Sequence, residues 1–347
     1  MSDTITEVSR VSDPLVVVDA DVLGRHRTGD ETYVRELLRA LPAVADGLRL
    51  AALTRRPELV PDGVEPVHMP ARIQELRMAV RVPLLLRRLR PALAHFVHSL
   101  PLALPCPGVL TVQDLSFERD ATLMGRRETA IFRLVVPRSA RRARRVLAIS
   151  QRTKDDLVEL YGLPEEKVTV TPLAVDPDFR PGSAPRGDYL LFAAAVEERK
   201  NPLAAADAAR ELGRRLVVAG PPKDARLVVE LRRRGAEVRG FVPHDELVRL
   251  YQEAAAFVFP TRYEGFGLPV VEAMACGTPV VATPDAAVRE VGGDAIAYAE
   301  PHELAAALER VLAEPEPWAL AGLERARLFT WEETARRTVA VYRAVLG

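Results

Sequence analysis

Short apolar runs alternate with longer amphipathic segments along the whole chain. The first half opens with LVVVDAD, passes through a polar loop, GRHRTGD, and enters the amphipathic stretch ETYVRELLRALP. RLAALT, AHFVHS, GVLTVQDL and RVLAIS follow as further apolar runs with helical stretches between them. The segment FRPGSAPRGD at 179–188 has the Pro, Gly and Ser content of a linker. A second alternating series then starts at YLLFAAAV and continues through RRLVVAG, AEVRGFV, AFVFP and TPVVAT. Strands alternating with helices predict parallel sheets, and hence an α/β chain of two doubly wound domains facing a cleft. Ligands of such sheets bind outside the C-terminal strand ends. The last run, FTWEETARRTVAVYRAVLG, reads as an amphipathic helix. The expected domains are therefore 1–181 and 182–328, with a terminal helix over 329–347. Neither a short-period repeat nor a low-complexity tail interrupts the pattern.

A length of 347 residues suits two domains of ordinary size, each burying its own core. Hydrophobic residues make up 48% and aromatic ones 5%, so the core is expected to be aliphatic and rich in alanine. No apolar run approaches the roughly 18–20 residues a membrane helix needs. The start, MSDTITEVSR, lacks the apolar core of a signal segment, which predicts a cytoplasmic protein. Two cysteines, Cys106 and Cys276, are too few for a disulfide framework or a zinc site.

A net charge of zero argues against a nucleic-acid partner. The charge is uneven, however. Residues 72–145 carry 15 Arg and no Lys against 5 acidic residues, interleaved with apolar positions as in RMAVRVPLLLRRLRPAL and RRETAIFRLVVPRSARRARRV. Such stretches are either core-facing helices with a solvated basic face or segments that rest on an anionic membrane. The second reading places the protein peripherally at the inner face of the membrane.

The chemistry concentrates in Ala256–Thr283, AFVFPTRYEGFGLPVVEAMACGTPVVAT. Two strand-like runs flank a loop holding Glu264, Gly265, Phe266 and Gly267, then a short helix. Pro269 suits the first helical turn and Gly277 the helix stop. The amides around Gly267 and Leu268 would be unpaired at a helix N-terminus, where a phosphate is favoured. Glu272, placed in the first turn of that helix, is positioned to accept hydrogen bonds from a vicinal diol such as a ribose. Glu264 precedes the two glycines and would meet hydroxyls beyond the diphosphate. The bland alternative is two solvated glutamates beside a glycine turn.

Other positions extend the reading. YLLFAAAVEERKN at 189–201 is a buried strand ending in a charged turn, with Asn201-Pro202 opening the next helix. Arg199 and Lys200 at that turn would neutralise a leaving diphosphate. Only four lysines stand against 44 arginines, so a lysine here hints at a compact point charge. Gly29 lies between a strand and a helix, a second place where amides could approach a phosphate, and a simple cap by Thr28 or Asp30 is the alternative. His98 ends a strand, where a lone histidine is more often structural. Gln113 and Asp114 end the next strand on the same edge. Ser150 is either a helix cap or a diphosphate contact. Asp19-Ala20-Asp21 and Asp176-Pro177-Asp178 each spell a metal-holding acidic pair, but neither has the surroundings for that role. No histidine spacing such as HExxH occurs, and no metal is expected.

Together these pieces resemble the family 4 glycosyltransferases of the GT-B fold. The resemblance rests on RTGDETYVRELLRAL, HFVHSLP, TVQDLSF, LAISQRTKDDLVELYGLPEEKVTVTPLAVDPDF, ERKNP, RGFVPHDEL, the Glu264–Glu272 block with its Glu-x7-Glu spacing, and FTWEETA. The last four carry most of the specificity. The resemblance implies a retaining, metal-independent transfer from a nucleotide-diphospho-sugar, a co-substrate rather than a cofactor. The donor would be held mainly by the second domain, the acceptor by the first. Glu264 would touch the sugar hydroxyls, Phe266, Gly267 and Leu268 would donate backbone amides, and Glu272 would hold the ribose. Arg199 and Lys200 match the family's phosphate cations, and Val242 a position that contacts the base through its backbone. His98 falls near a histidine that faces the donor sugar, and the C-terminal helix would cross back to the first domain. The chain departs from the pattern twice: Gln113-Asp114 replaces the common His-Asp on the acceptor side, and Ala194-Ala195 replaces a Gly-Thr or Gly-Arg pair.

The overall look is closest to the mannosyltransferase-like branch, which makes GDP-mannose the first expectation for the donor. The acceptor would be a saccharide, lipid-linked sugar or small natural product. A sugar-nucleotide epimerase on the same fold and a non-catalytic nucleotide-sugar sensor are the alternatives. A dinucleotide oxidoreductase is disfavoured, since no GxGxxG follows a strand and opens a helix.

Overall fold

The computed structural model describes residues 13–25, 28–70, 73–119 and 126–347. The segment MSDTITEVSR, His26, Arg27 and Arg72 therefore lie outside the described residues, as do 120–125 of the basic stretch. Among the described residues, no helix is long and apolar enough to cross a membrane.

Thirteen strands form two sheets among the described residues. The first contains β1 (Leu15–Asp19), β2 (Arg49–Thr54), β3 (Glu65–His68), β4 (Leu93–Val97), β5 (Gly108–Val112), β6 (Arg145–Ala148) and β7 (Val168–Val170). Its order is β3-β2-β1-β4-β5-β6-β7. The second contains β8 (Leu190–Ala193), β9 (Leu216–Ala219), β10 (Glu237–Gly240), β11 (Ala256–Phe259), β12 (Val280–Ala282) and β13 (Ala297–Tyr298), in the order β10-β9-β8-β11-β12-β13. Counted from its own first strand, each sheet runs 3-2-1-4-5-6, the Rossmann order, and β7 extends the first sheet by one strand. The pairs β1·β2, β1·β4, β8·β9 and β8·β11 are all parallel.

The central strands read as unbroken apolar runs because both faces of the sheet are covered there, while the edge strands β3 and β10 are more polar and hold no buried residue. All four residues of β8, of β9 and of β11 are buried. Ala205, Ala206, Ala208 and Ala209, on the helix Pro202–Glu211, pack into the same core as Leu190, Phe192, Leu216 and Val218. Small side chains let that helix come close to the sheet, so few aromatic residues are needed. One strand stops earlier than its pattern suggests. AEVRGFV reads as extended throughout, yet β10 ends at Gly240, where the pairing with β9 shifts register and φ is +73°. Phe241 is left 66% exposed as a result.

The chain divides into two compact units. One comprises Met1–Thr111, Arg138–Val146 and Ala335–Gly347; the other comprises Val112–Pro137 and Leu147–Thr334. Most of the C-terminal helix Trp331–Leu346 thus belongs to the unit that contains β1. A buried polar chain fixes it there: the Tyr342 hydroxyl lies 2.6 Å from Nδ1 of His95, whose Nε2 lies 2.7 Å from Oγ1 of Thr111. Tyr33 completes the chain with its hydroxyl 2.8 Å from the same Thr111 oxygen. Burial pushes the His95 pKa down to about 3, against a weaker upward pull from Asp19, so the ring stays neutral.

Candidate functional site

The order of the second sheet reverses between β8 and β11, and the loops following these two strands carry the charged residues singled out above. After β8 the chain makes a turn over Glu198–Lys200 and enters the helix Pro202–Glu211 through Asn201 in the left-handed region, φ +49°. After β11 the loop 260–267 leads to the helix Leu268–Ala275. Gly267 caps this helix at φ +97°, a conformation most side chains resist, with Pro269 in the first turn. The helix ends as expected: Gly277 N–H reaches the Met274 carbonyl at 2.9 Å and Thr278 N–H the Ala273 carbonyl at 2.9 Å.

Glu264, Arg199 and Lys200 come together between the two loops. Glu264 is 5% exposed, and its Oε1 accepts from the Lys200 ammonium and, at 2.8 Å, from the Thr261 hydroxyl. Arg199 Nη1 lies 3.7 Å from Oε2 of Glu264 and donates to the Tyr263 carbonyl at 2.8 Å. Its Nη2 donates to Glu197 Oε1 at 2.9 Å, and Lys223 approaches the other Glu197 oxygen at 3.1 Å. The cluster is thus three cations against two carboxylates. Burial lowers the Lys200 pKa; Glu264 opposes that fall, and Arg199 adds to it. Burial also acts to lower Arg199, but Glu264, Asp114 and Glu197 outweigh it, so its pKa is raised. With Asp114 counted the charges balance, and Arg199 and Lys200 are the mostly buried cations on which an incoming anion could draw.

Glu272 corrects one expectation. The helix begins at Leu268, so Glu272 is its fifth residue and lies in the second turn rather than the first. Its carboxylate is half-buried and accepts from the Tyr251 hydroxyl at 2.9 Å. Burial, with a smaller contribution from Asp176, raises its pKa to about 7, against the lowering effect of the Tyr251 bond.

The Glu264 loop is packed against the segment that follows β5. A Cβ on Gly265 would stand 2.6 Å from the Gln113 carbonyl oxygen and 2.8 Å from Cβ of Asp114. Ser150 is fully buried; its oxygen accepts from Thr153 N–H at 3.0 Å and its hydroxyl donates to the Gly265 carbonyl. Its geometry is that of the cap of the helix Gln151–Tyr161. Gln113 is 8% exposed, and its amide nitrogen has no hydrogen-bond partner among the described residues. Asp114 accepts from the amide and hydroxyl of Ser116 at 3.0 and 2.8 Å. Tyr263 anchors the loop further: its hydroxyl donates to Asp156 at 2.8 Å and accepts from Leu115 N–H at 3.3 Å.

The remaining candidates spread more widely. Val242 follows β10 and is 9% exposed. Beside it, Asp176, Asp178 and His244 bring ligand atoms within 4.8 Å of one another, with His244 Nε2 3.1 Å from Asp178 Oδ2. Gly29 and His98 belong to the unit containing β1. Gly29 is the second residue of the helix Thr28–Ala40 and is exposed. His98 directly follows β4 at φ +62°, and its Nε2 lies 3.2 Å from Oδ1 of Asp30, on the first turn of that helix. A non-glycine residue held in this region at a strand end is a local strain of the kind found at functional positions. Both groups stand where the order of the first sheet reverses, between β1 and β4. Asp19 and Asp21 are engaged by arginine: Arg77 binds Asp19 through two bonds of 2.7 and 2.9 Å, and Arg55 lies 2.9 Å from Asp21.

Thr261, Tyr251, Tyr263 and Glu197 contribute to this arrangement and were not singled out from the sequence. Only Glu197 had a signal, as the first acid of the EERK turn.

Two parallel sheets of Rossmann order, with Arg199 and Lys200 at the switch point of the second, are the architecture expected of a GT-B glycosyltransferase. The family model for Glycosyltransferase Family 4 matches residues 27–179 and that for glycosyl transferases group 1 matches 187–314. The D-inositol 3-phosphate glycosyltransferase 1 of Catenulispora acidiphila is 32% identical over 281 residues, 69% of this chain and 67% of that protein. The O-antigen chain mannosyltransferase B of Escherichia coli is 30% identical over 231 residues, 58% of this chain and 61% of that protein. The chain belongs to the family 4 glycosyltransferases. It spans about three fifths of the length of the first curated relatives it matches. Among solved structures, the sucrose-phosphate synthase of Thermosynechococcus elongatus superposes with a TM-score of 0.77 at 18% identity, over 95% of this chain and 98% of that one. At that identity the likeness speaks for the fold.

Proposed function

We propose that this protein transfers a hexose from a nucleotide-diphospho-sugar to a saccharide, lipid-linked or small-molecule acceptor with retention of configuration. The observation that carries the reading is the cluster of Glu264, Lys200 and Arg199 between the loops after β8 and β11, beside the Gly267 helix N-terminus. In this reading the donor diphosphate enters at the amides of Phe266, Gly267 and Leu268 and draws Lys200 and Arg199 toward it. Glu264, released from Lys200, then accepts hydroxyls of the sugar, and Glu272 accepts the ribose diol. As the C1–O bond loosens, the two cations stabilise charge on the leaving diphosphate, which is usually the largest catalytic contribution. The leaving phosphate oxygen takes the acceptor proton on the same face, so no side-chain nucleophile and no metal are invoked.

GDP-mannose is the first choice of donor, supported by the mannosyltransferase among the relatives. Gln113, whose buried amide nitrogen is available, would serve the acceptor side with Asp114, and Val242 the base. His98 would serve the donor sugar. A peripheral contact with an anionic membrane belongs to the same reading, because a lipid-linked acceptor would lie there. A direct test is donor turnover in the presence of simple mannosides, followed by NMR of the anomeric proton. Product with the donor's configuration, with kcat lost in Glu264→Ala while the nucleotide Kd changes little, supports the proposal. Inverted product, or turnover unchanged in that variant, contradicts it.

A further inference from the structure

The segment 73–90 lies wholly within the unit that contains β1 and β4. It runs helically from Gln74 to Leu89, with a π-helical stretch over Arg77–Arg81. One face is buried: Val82, Pro83 and Leu86 enter the core. Arg77 on the same side is 3% exposed and committed to Asp19. The opposite side carries no such cover. Ile73, Leu76, Val80 and Leu84 are exposed by 59%, 46%, 44% and 57%, at spacings of three, four and four residues, which aligns them on one stripe.

Arg81, Arg87, Arg88 and Arg90 are exposed or border the stripe, and their guanidinium groups make no ion pair with any described residue. Glu75 is the one acid on the segment. Among the described residues the helix therefore has a core face, a bare aliphatic face and a surplus of unpaired positive charge along its edge. Aliphatic side chains this exposed gain nothing from a nucleic acid backbone, and two copies of so basic a face repel one another. An anionic bilayer satisfies both features, taking the stripe into its acyl boundary and the arginines among its headgroups.

We propose that this stripe, Ile73–Leu84 with Arg81, Arg87 and Arg88, is a docking surface for anionic phospholipid. The proposal deepens the peripheral-membrane part of the function above and relocates it within the basic stretch. Among the described residues, the helix Arg126–Arg142 exposes only Ile131 and Leu134 as large hydrophobic residues, against four on the stripe, and its Arg142 is spent on the Leu102 carbonyl at 2.8 Å. Arginines beside so small an apolar area would give a mainly salt-sensitive association.

The test is co-sedimentation of the full chain with vesicles of phosphatidylcholine alone and of equal parts phosphatidylcholine and phosphatidylglycerol. Binding is expected only to the second, lowered at least about tenfold in Leu76→Glu/Leu84→Glu and reduced in Arg87→Ala/Arg88→Ala. Leu320→Glu, at a site equally exposed on another helix, is the control and should bind as the wild type does. Circular dichroism and nucleotide affinity should be unchanged in all four proteins, which separates this surface from the donor site. Equal loss in Leu320→Glu, equal binding to both vesicles, or a shift from dimer to monomer in the Leu76→Glu/Leu84→Glu variant without loss of vesicle binding would overturn the proposal.

Discussion

The hydroxyl of Tyr251 donates to Oε2 of Glu272 across 2.9 Å, and Tyr251 is itself fully buried among Phe179 and Phe257. The tyrosine acts as a fixed donor that orients the carboxylate and partly offsets the upward push of burial on its pKa. In the proposed function Glu272 would have to be ionised to accept two ribose hydroxyls at once. Removing the donor in Tyr251→Phe should raise the Glu272 pKa further above about 7. Nucleoside diphosphate affinity would then recover only at higher pH than in the wild type. Isothermal titration across pH checks this: a displaced profile is expected, whereas an equal loss at every pH would mean that the ring only packs.

Glu272 also links stability to pH. Its folded pKa, about 7, is raised from the ordinary 4.5, so the folded state holds the proton more tightly than the unfolded chain. The contribution is complete below about 4.5 and is lost as pH rises through about 7. Glu272→Gln should therefore raise Tm above pH 7, by an amount corresponding to at most about 3 kcal/mol, and have little effect near pH 4. A Tm difference independent of pH would contradict it.

Lys200 and Glu264 are 8% and 5% exposed, and each leaves the other a buried charge if removed. Lys200→Met should cost on the order of 3–5 kcal/mol. Lys200→Met/Glu264→Gln should cost clearly less, since no charge is stranded. Chemical denaturation of the two variants measures this, and equal losses would argue against a coupled pair.

Gly265→Ala would place a methyl carbon 2.6 Å from the Gln113 carbonyl. The loop must move, carrying Glu264 with it. A stability loss of about 1–3 kcal/mol and a larger fall in kcat than in nucleotide affinity are expected. Turnover and thermal scans at wild-type level would show that the loop tolerates displacement.

The central strands were legible because they are buried on both faces and so read as bare apolar runs, as Leu190–Ala193 and Ala256–Phe259 do, whereas the exposed edge strand Glu65–His68 and the short strands Val168–Val170 and Ala297–Tyr298 carry no such run and were missed. The loop from Glu264 to Gly267 was legible for a local reason: Gly267 and Pro269 dictate a helix start whatever surrounds them. Glu272 was placed in the first turn although the helix starts where Gly267 and Pro269 indicate, because the fifth residue from Leu268 already lies past the roughly 3.6 residues of that turn. Tyr251, Asp156 and Tyr263 escaped notice because their roles depend on contacts 21 and 107 positions away in the chain. The buried chain Tyr33, Thr111, His95 and Tyr342 was hidden for the same reason, joining positions up to 247 residues apart. Exposure of the stripe from Ile73 to Leu84 was likewise invisible, since the same spacing describes a helix that is covered.

Central to the account is that Glu264, Arg199, Lys200 and Glu272 form one nucleotide-sugar site. The most direct measurement is a thermal-shift panel of GDP, UDP, dTDP, ADP and their common sugar conjugates on the wild type and on Glu272→Ala. The account predicts that one nucleotide and its sugar conjugate raise Tm selectively and that the variant loses this gain. A wild type that none of them stabilises, or a variant that retains the full shift, would contradict it.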